Sequence, residues 1–115
     1  MKQLILAAML LGALPSARAR DAGGSFATVE ASSCATLLQD RKARGWAYNA
    51  DTAWVAGYLT AYNALTPDTN DILGNTDLSG AMLRLQRYCE AHPADSLAQA
   101  MLALTAELYP GRRTR

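Results

Sequence analysis

Two cysteines, Cys34 and Cys89, are the only ones in this chain of 115 residues, and they stand 55 positions apart. In a small exported domain an even pair of this kind reads first as one disulfide. Closing a loop of that length is worth about 4 kcal/mol in the chain-entropy model. That is a large share of what keeps a domain this small folded, so any architecture must bring positions 34 and 89 together. The rival readings are two free thiols or half of a metal site. The second lacks a C-x-x-C pair and has only His92 as an imidazole partner.

Export is read from the beginning of the chain. Met1 and Lys2 give a positive start, Leu4 to Leu14 form an apolar run of 11 residues, and Ala17-Arg18-Ala19 is an A-x-A cleavage pattern. Together these describe a signal peptide over residues 1–19. The run is far shorter than the roughly 20 residues a spanning helix needs. No later segment is apolar enough to anchor the chain, and no cysteine directly follows the leader for lipid attachment. The expectation is a soluble periplasmic protein without a membrane anchor.

Charge narrows the class of partner. Without Lys2 and Arg18, nine basic residues face ten acidic ones, so the exported part is close to neutral. A nucleic-acid or anionic-membrane binder needs a basic stripe to replace counterions. Here the nearest approaches to one are Arg41-Lys42-Arg44 and Arg112-Arg113-Arg115, which read as a charged helix end and a solvated basic tail at 111–115. No nucleic-acid partner is expected.

Strand formers are scarce beyond the leader, where Val29, Val55 and Ile72 are the only valines and isoleucine, and the composition favours helix. Residues 20–31 are small and aperiodic and read as a flexible N-terminal arm. A first helix opens at Ser32 or Ser33, places Cys34, Leu37 and Leu38 on one face, and closes near a left-handed Gly45. A second, capped by Asn49 or Asp51, carries Trp54, Tyr58, Ala61, Tyr62 and Leu65 at helical spacing until Pro67 stops it. Gly57 within it suggests the close approach of another helix. The stretch from Thr66 to Asn75 is a turn-rich loop.

A third helix, capped by Thr76, has the amphipathic stripe Leu78, Ala81, Met82, Leu85, Tyr88 and Cys89, with Arg84, Arg87 and Glu90 facing outward. Pro93 closes it by Ala91. A fourth opens at Asp95 or Ser96, buries Leu97, Ala100, Met101, Leu104 and Leu108, and ends at Pro110-Gly111. The fold class is therefore all-α: a small four-helix bundle or orthogonal helical array over residues 32–110, stapled by one disulfide.

Catalytic material is poor. His92 is the only histidine and sits beside a proline in a turn. No serine lies in a G-x-S-x-G elbow. Asp40, Asp51, Glu90 and Glu107 could converge as acid and base, but spacing singles out no pair. The loop with Asp68, Asn70, Asp71, Asn75 and Asp77 resembles a calcium loop in composition. It fails the register, placing Ile72 and Leu73 where an oxygen ligand and a glycine are required. Gly23-Gly24 and Gly74 form no phosphate loop. No enzyme, metal or cofactor is expected.

Trp54, Tyr58, Tyr62 and Leu65 remain as the residues with most to say. At helical spacing they read as core, or as a surface for a protein partner, where an apolar body with a polar tip is favoured. Trp46 and Tyr48 would extend such a patch.

These signals combine in Ser33-Cys34 opening the first helix, Trp54-Val55-Ala56-Gly57-Tyr58 in the second, and Leu85-x-x-Tyr88-Cys89-x-x-His92-Pro93 in the third. Over roughly Ser33 to Leu108 the layout resembles the HdeA/HdeB-like family of small periplasmic acid-stress chaperones. The resemblance implies a helical protein with a Cys34 to Cys89 disulfide, folded and often a homodimer at neutral pH. In strong acid such proteins dissociate, partly unfold and hold unfolded client proteins through newly exposed apolar surface, to which Trp54, Tyr58 and their neighbours would belong. The chain differs in a longer, more polar loop before the third helix and in lacking a lysine-rich tail.

Rap1a-type immunity proteins share the W-x-x-G-Y helix and the C-x-x-x-P junction, and block one toxin enzyme by binding it. They generally carry a further cysteine near the C-terminal proline, which Tyr109-Pro110-Gly111 lacks, so the chaperone-like reading is preferred. Charge is compatible with it: with every carboxylate protonated, the exported chain carries about +11, and self-repulsion favours opening.

Overall fold

Ser33 sets the start of the first helix: its backbone is extended and its hydroxyl accepts the amide of Thr36 at 3.0 Å. In the computed structural model, which describes residues 25–115, this cap opens α1 (Cys34–Ala43). The signal peptide at 1–19 and the beginning of the arm at 20–24 lie outside the described residues. Three further helices follow, α2 (Trp46–Leu65), α3 (Leu78–Ala91) and α4 (Leu97–Leu108), then a short 3-10 turn at Tyr109–Gly111. The described residues form an all-α fold closed by one disulfide, Cys34–Cys89, whose Cα atoms are 4.9 Å apart.

The junction of α1 and α2 is tighter than expected. The left-handed cap of α1 is Arg44, at φ 52°, and Gly45 is extended and serves as the N-cap of α2. With only two residues between the helices, the reversal falls on Arg44 and α2 begins at once, ahead of Asn49 and Asp51. Asp51 is therefore no cap. It lies inside the helix, and with Val55 and Leu59 it forms the buried i, i+4, i+8 ridge of α2.

Further along, Asp77 and not Thr76 caps α3, its Oδ1 accepting the amide of Gly80 at 2.8 Å. The amide of Thr76 instead donates to the carbonyl of Leu73, closing the preceding turn. Ala81, Met82, Leu85 and Cys89 are buried while Arg84, Arg87 and Glu90 are exposed, as the stripe requires. Ser96 opens α4 through a reciprocal capping box with Gln99, at 3.1 and 2.8 Å. Leu97, Ala100, Met101, Leu104 and Leu108 are buried as expected.

The caps of α1 and α4 are themselves paired. The amide of Cys34 donates to the carbonyl of Asp95 and the amide of Leu97 to the carbonyl of Ser32, both at 2.9 Å. Helix α1 thus packs against α2, α3 and α4, with α3 against α4. Two fully buried sulfurs lie within the apolar core they share.

The basic tail stays largely exposed, with only Arg112 half-buried, but its backbone is docked on the loop before α3. The amide of Arg113 donates to the carbonyl of Asp71 at 2.9 Å, and its own carbonyl accepts the amide of Asn70 at 2.8 Å. The guanidinium of Arg112 lies 3.7 Å from the centre of the Tyr109 ring and donates to Thr69 Oγ1 at 3.2 Å. Arg115 donates to the carbonyl of Thr69 at 3.2 Å. This pairing accounts for the polar loop before α3 and carries the folded unit past residue 110. It also requires Gly74, at φ 58°, where a Cβ would stand 2.2 Å from the carbonyl oxygen of Gly111.

Candidate polypeptide-binding face

The aromatic stripe flanks the buried ridge of α2. Trp54, Tyr58 and Tyr62 each stand one position before Val55, Leu59 and Asn63, about 100° around the helix. They are half-buried and packed against the core from its edge. The rings of Trp54 and Tyr58 lie 5.7 Å apart and tilted by 40°, an aromatic pair in its favoured range.

What covers this edge is the N-terminal arm. The indole N–H of Trp54 donates to the carbonyl of Val29 at 2.7 Å. Phe26, Ala27, Thr28 and Val29 form one wall of a shallow groove of about 380 Å³, and Trp54, Gly57 and Tyr58 form the other. On its opposite side the arm faces α4 across a second groove of about 430 Å³, bounded by Ser96, Ala98, Gln99 and Leu102. The arm therefore runs between α2 and α4. Every residue from Ser25 to Glu30 remains exposed, Val29 by 77%.

Among the described residues no helix approaches Gly57. A Cβ there would meet nothing within 4 Å, and the residue opens onto the groove beneath the arm. Leu65, the last residue of α2, is 82% exposed and lies seven positions beyond Tyr58, away from the arm. Trp46 is 81% exposed while Tyr48 packs against the core. Trp54 and Tyr58 are thus brought together under the arm, Tyr62 flanks the core, and Leu65 and Trp46 stand apart.

Sequence reasoning missed the arm as part of the face. Its signal was slight: Phe26 and Val29 are the large apolar residues in a run of small ones. The same reasoning named Asp51 as a cap or an acid-base candidate but not as a member of the apolar ridge, where its spacing to Val55 and Leu59 places it. Of the four carboxylates weighed as acid or base, the structure brings Asp51 and Asp40 together. Glu107 instead pairs with Arg84, and Glu90 accepts from Gln86 at 2.7 Å. Asp51 is 6% exposed and its Oδ1 accepts the hydroxyl of Ser32 at 2.5 Å. Burial, and after it the neighbouring Asp40, push its carboxyl above the ordinary aspartate range, with the Ser32 bond working against them.

His92 is exposed, its ring stacked on Tyr88 at 4.3 Å and its Nδ1 3.0 Å from the carbonyl oxygen of Tyr88. The hydroxyl of Tyr88 donates to Asp95 at 2.5 Å, and that bond raises the phenol above its usual range. Among the described residues no three His, Cys, Asp or Glu side chains cluster to hold a metal, and no helix is long and apolar enough to cross a membrane.

No family model, curated protein or solved structure matches the chain.

Proposed function

We propose that the chain is a periplasmic holdase-type chaperone of acid stress, which opens at low pH and binds unfolding clients through the apolar face its arm covers at neutral pH. The arm is the observation that carries this reading. Phe26 to Val29 line one groove with Trp54, Gly57 and Tyr58 and are tied to it by the Trp54 bond to Val29, yet every arm residue is itself exposed. Few contacts hold a cover of this kind, and segments with few buried apolar contacts open first. Peeling it back leaves the disulfide-linked core intact. It uncovers two adjoining rings and an indole N–H that already binds the carbonyl of an extended backbone.

Net positive charge in acid supplies a driving force for opening, and the Cys34–Cys89 bond keeps an opened chain compact enough to close again. The signal-peptide pattern supports export, and a disulfide suits an oxidising compartment.

The test is an acid-labile client mixed with the oxidised protein from Arg20 onward at about pH 2 to 3, followed by light scattering through neutralisation. The near-ultraviolet CD signal of the protein is recorded alongside. The reading expects loss of tertiary signal, suppressed aggregation, and poorer recovery once the disulfide is reduced. A protein that keeps its tertiary signal and leaves aggregation unchanged would overturn it.

One observation favours a second reading, that of a toxin-blocking immunity protein. A carboxyl held above its unfolded-state pKa contributes stability that is fully present below the unfolded value and is lost as pH rises through the folded one. Asp51 is such a group, so it steadies the fold in acid, as suits a rigid binder of one folded partner. A tertiary signal retained at low pH, without client protection, is the outcome that selects this reading.

A further inference from the structure

The solvent side of α2 carries no charge. Asp51 is the one charged residue between Trp46 and Leu65, and it is buried. Trp46, Ala50, Ala53, Gly57, Ala61 and Leu65 are all exposed, over about 28 Å of helix. Large apolar side chains gather on this side as well. Trp46 and Leu65 stand exposed at the two ends, and the exposed Phe26 and Val29 of the arm share a groove with Gly57 near the middle. Leu83 and Tyr109 are the other large apolar residues left exposed among those described.

Cations stand at both ends of the same helix. Arg41 and Lys42 close α1 and Arg44 makes the reversal into α2, so three exposed cations adjoin Trp46. None of the three joins the ion pairs of the described residues, which link Arg84 to Glu107, Arg112 to Asp68 and Arg113 to Asp71. At the other end the docked tail brings two more exposed cations. Arg115 donates to the carbonyls of Asn63 and Thr69, and Arg113 pairs with Asp71. The acids of these segments are Asp40, Asp68 and Asp71, with Glu30 in the arm. Two basic groups some 70 positions apart in sequence thus bracket one uncharged helix side.

This charge pattern narrows what can lie on the face. A second copy does not suit it, because parallel and antiparallel pairing of two α2 helices both set cation against cation at the ends. A flat surface of negative headgroups over hydrocarbon matches the whole length. An uncharged helix side settles at such a boundary without dehydrating a charge, Trp is favoured at headgroup depth, and Lys and Arg are drawn to anionic lipid. We propose that the folded protein docks on an anionic phospholipid bilayer through the exposed side of α2, with Trp46 among the headgroups and Arg41, Lys42 and Arg44 on the lipid phosphates. The contact is peripheral, since no helix of the described residues is long and apolar enough to cross. It goes beyond the holdase reading and does not depend on it, because these residues are exposed before any opening.

The experiment is co-sedimentation of the oxidised protein from Arg20 onward, at neutral pH and low salt, with vesicles of equal parts phosphatidylglycerol and phosphatidylcholine and with vesicles of phosphatidylcholine alone. Binding to the mixed vesicles should exceed binding to the neutral ones by at least about tenfold, and salt at about 0.5 M should release the protein. Arg41→Gln combined with Lys42→Gln should weaken binding about 25-fold, at about fivefold per cation. Trp46→Ala should weaken it while leaving the salt dependence unchanged. Far-ultraviolet CD of each variant should match the wild type, as exposed positions require. On the mixed vesicles tryptophan emission should shift to the blue in Trp54→Phe but not in Trp46→Phe, which locates the contact at Trp46 and away from the groove under the arm. Equal binding to both vesicles, no binding, or binding untouched by these variants overturns the proposal. So does a concentration-dependent dimer in which Trp46 is shielded from a collisional quencher, since a second copy would then cover the face.

Discussion

Trp54 reaches back 25 positions to Val29, its indole N–H donating to that carbonyl at 2.7 Å and tying α2 to the extended arm. A phenyl ring could fill much of the same space but could not make this bond. Trp54→Phe therefore separates the tether from the apolar contact. Because the arm is exposed and the bond lies at its edge, global stability should fall by no more than about 1 kcal/mol. Proteolytic cleavage within residues 25–30 should accelerate clearly, since it depends on local opening. Limited proteolysis read by mass spectrometry, beside urea unfolding, checks both halves. Cleavage at the wild-type rate would mean that the bond does not hold the arm.

The Cys34–Cys89 bond lies where α1 and α3 meet, with both residues fully buried. It closes the loop that holds nearly all of α1, the whole of α2 and most of α3. Replacing both cysteines by alanine should lower unfolding free energy by about 2–5 kcal/mol. The paired caps of α1 and α4 would survive the change, so helix content by far-ultraviolet CD should fall less than the urea midpoint suggests. A doubly substituted protein as stable as the wild type would show that those caps and the core hold the fold unaided.

Ser96 joins two duties, capping α4 and pairing with Ser33 across the start of α1. Ser96→Ala keeps the backbone pairing and removes the side-chain half of the capping box. The expected cost is about 1 kcal/mol, within a range of roughly 0.5–2, measured by urea unfolding. A change below the error of the measurement would mean that the paired backbone already satisfies the helix end.

How much of this was legible depended on distance along the chain. The amphipathic stripe of α3, and Ser96 with the apolar residues that follow it, are local patterns, and they read correctly to within a residue. The start of α2 did not, because Asp51 looked like a cap, whereas in space it is a polar member of the apolar ridge it forms with Val55 and Leu59. The aromatic residues beside that ridge drew the expected buried face around the helix by one position. Neither the docking of Arg113 on Asp71 nor that of Val29 on Trp54 has a local signature, since each joins segments far apart in sequence. Where the exposed tail and arm dock is therefore not legible in the sequence.

Two glycines test the resulting assignment against each other. Gly57 lies inside α2 at a helical position where a methyl group meets nothing within 4 Å. Alanine there keeps the groove open and reduces the freedom lost on folding, so Gly57→Ala should stabilise by about 0.5–1 kcal/mol. Gly74 is left-handed at φ 58° and its added Cβ would stand 2.2 Å from the carbonyl oxygen of Gly111. Gly74→Ala would strain the backbone and push the tail off the loop, costing at least about 1–3 kcal/mol. Urea unfolding of the two single variants gives opposite signs if α2 is open at Gly57 and the tail is docked at Gly74. A destabilising Gly57→Ala would instead place a neighbour against that turn of α2, and a neutral Gly74→Ala would undo the close approach of Gly74 to Gly111.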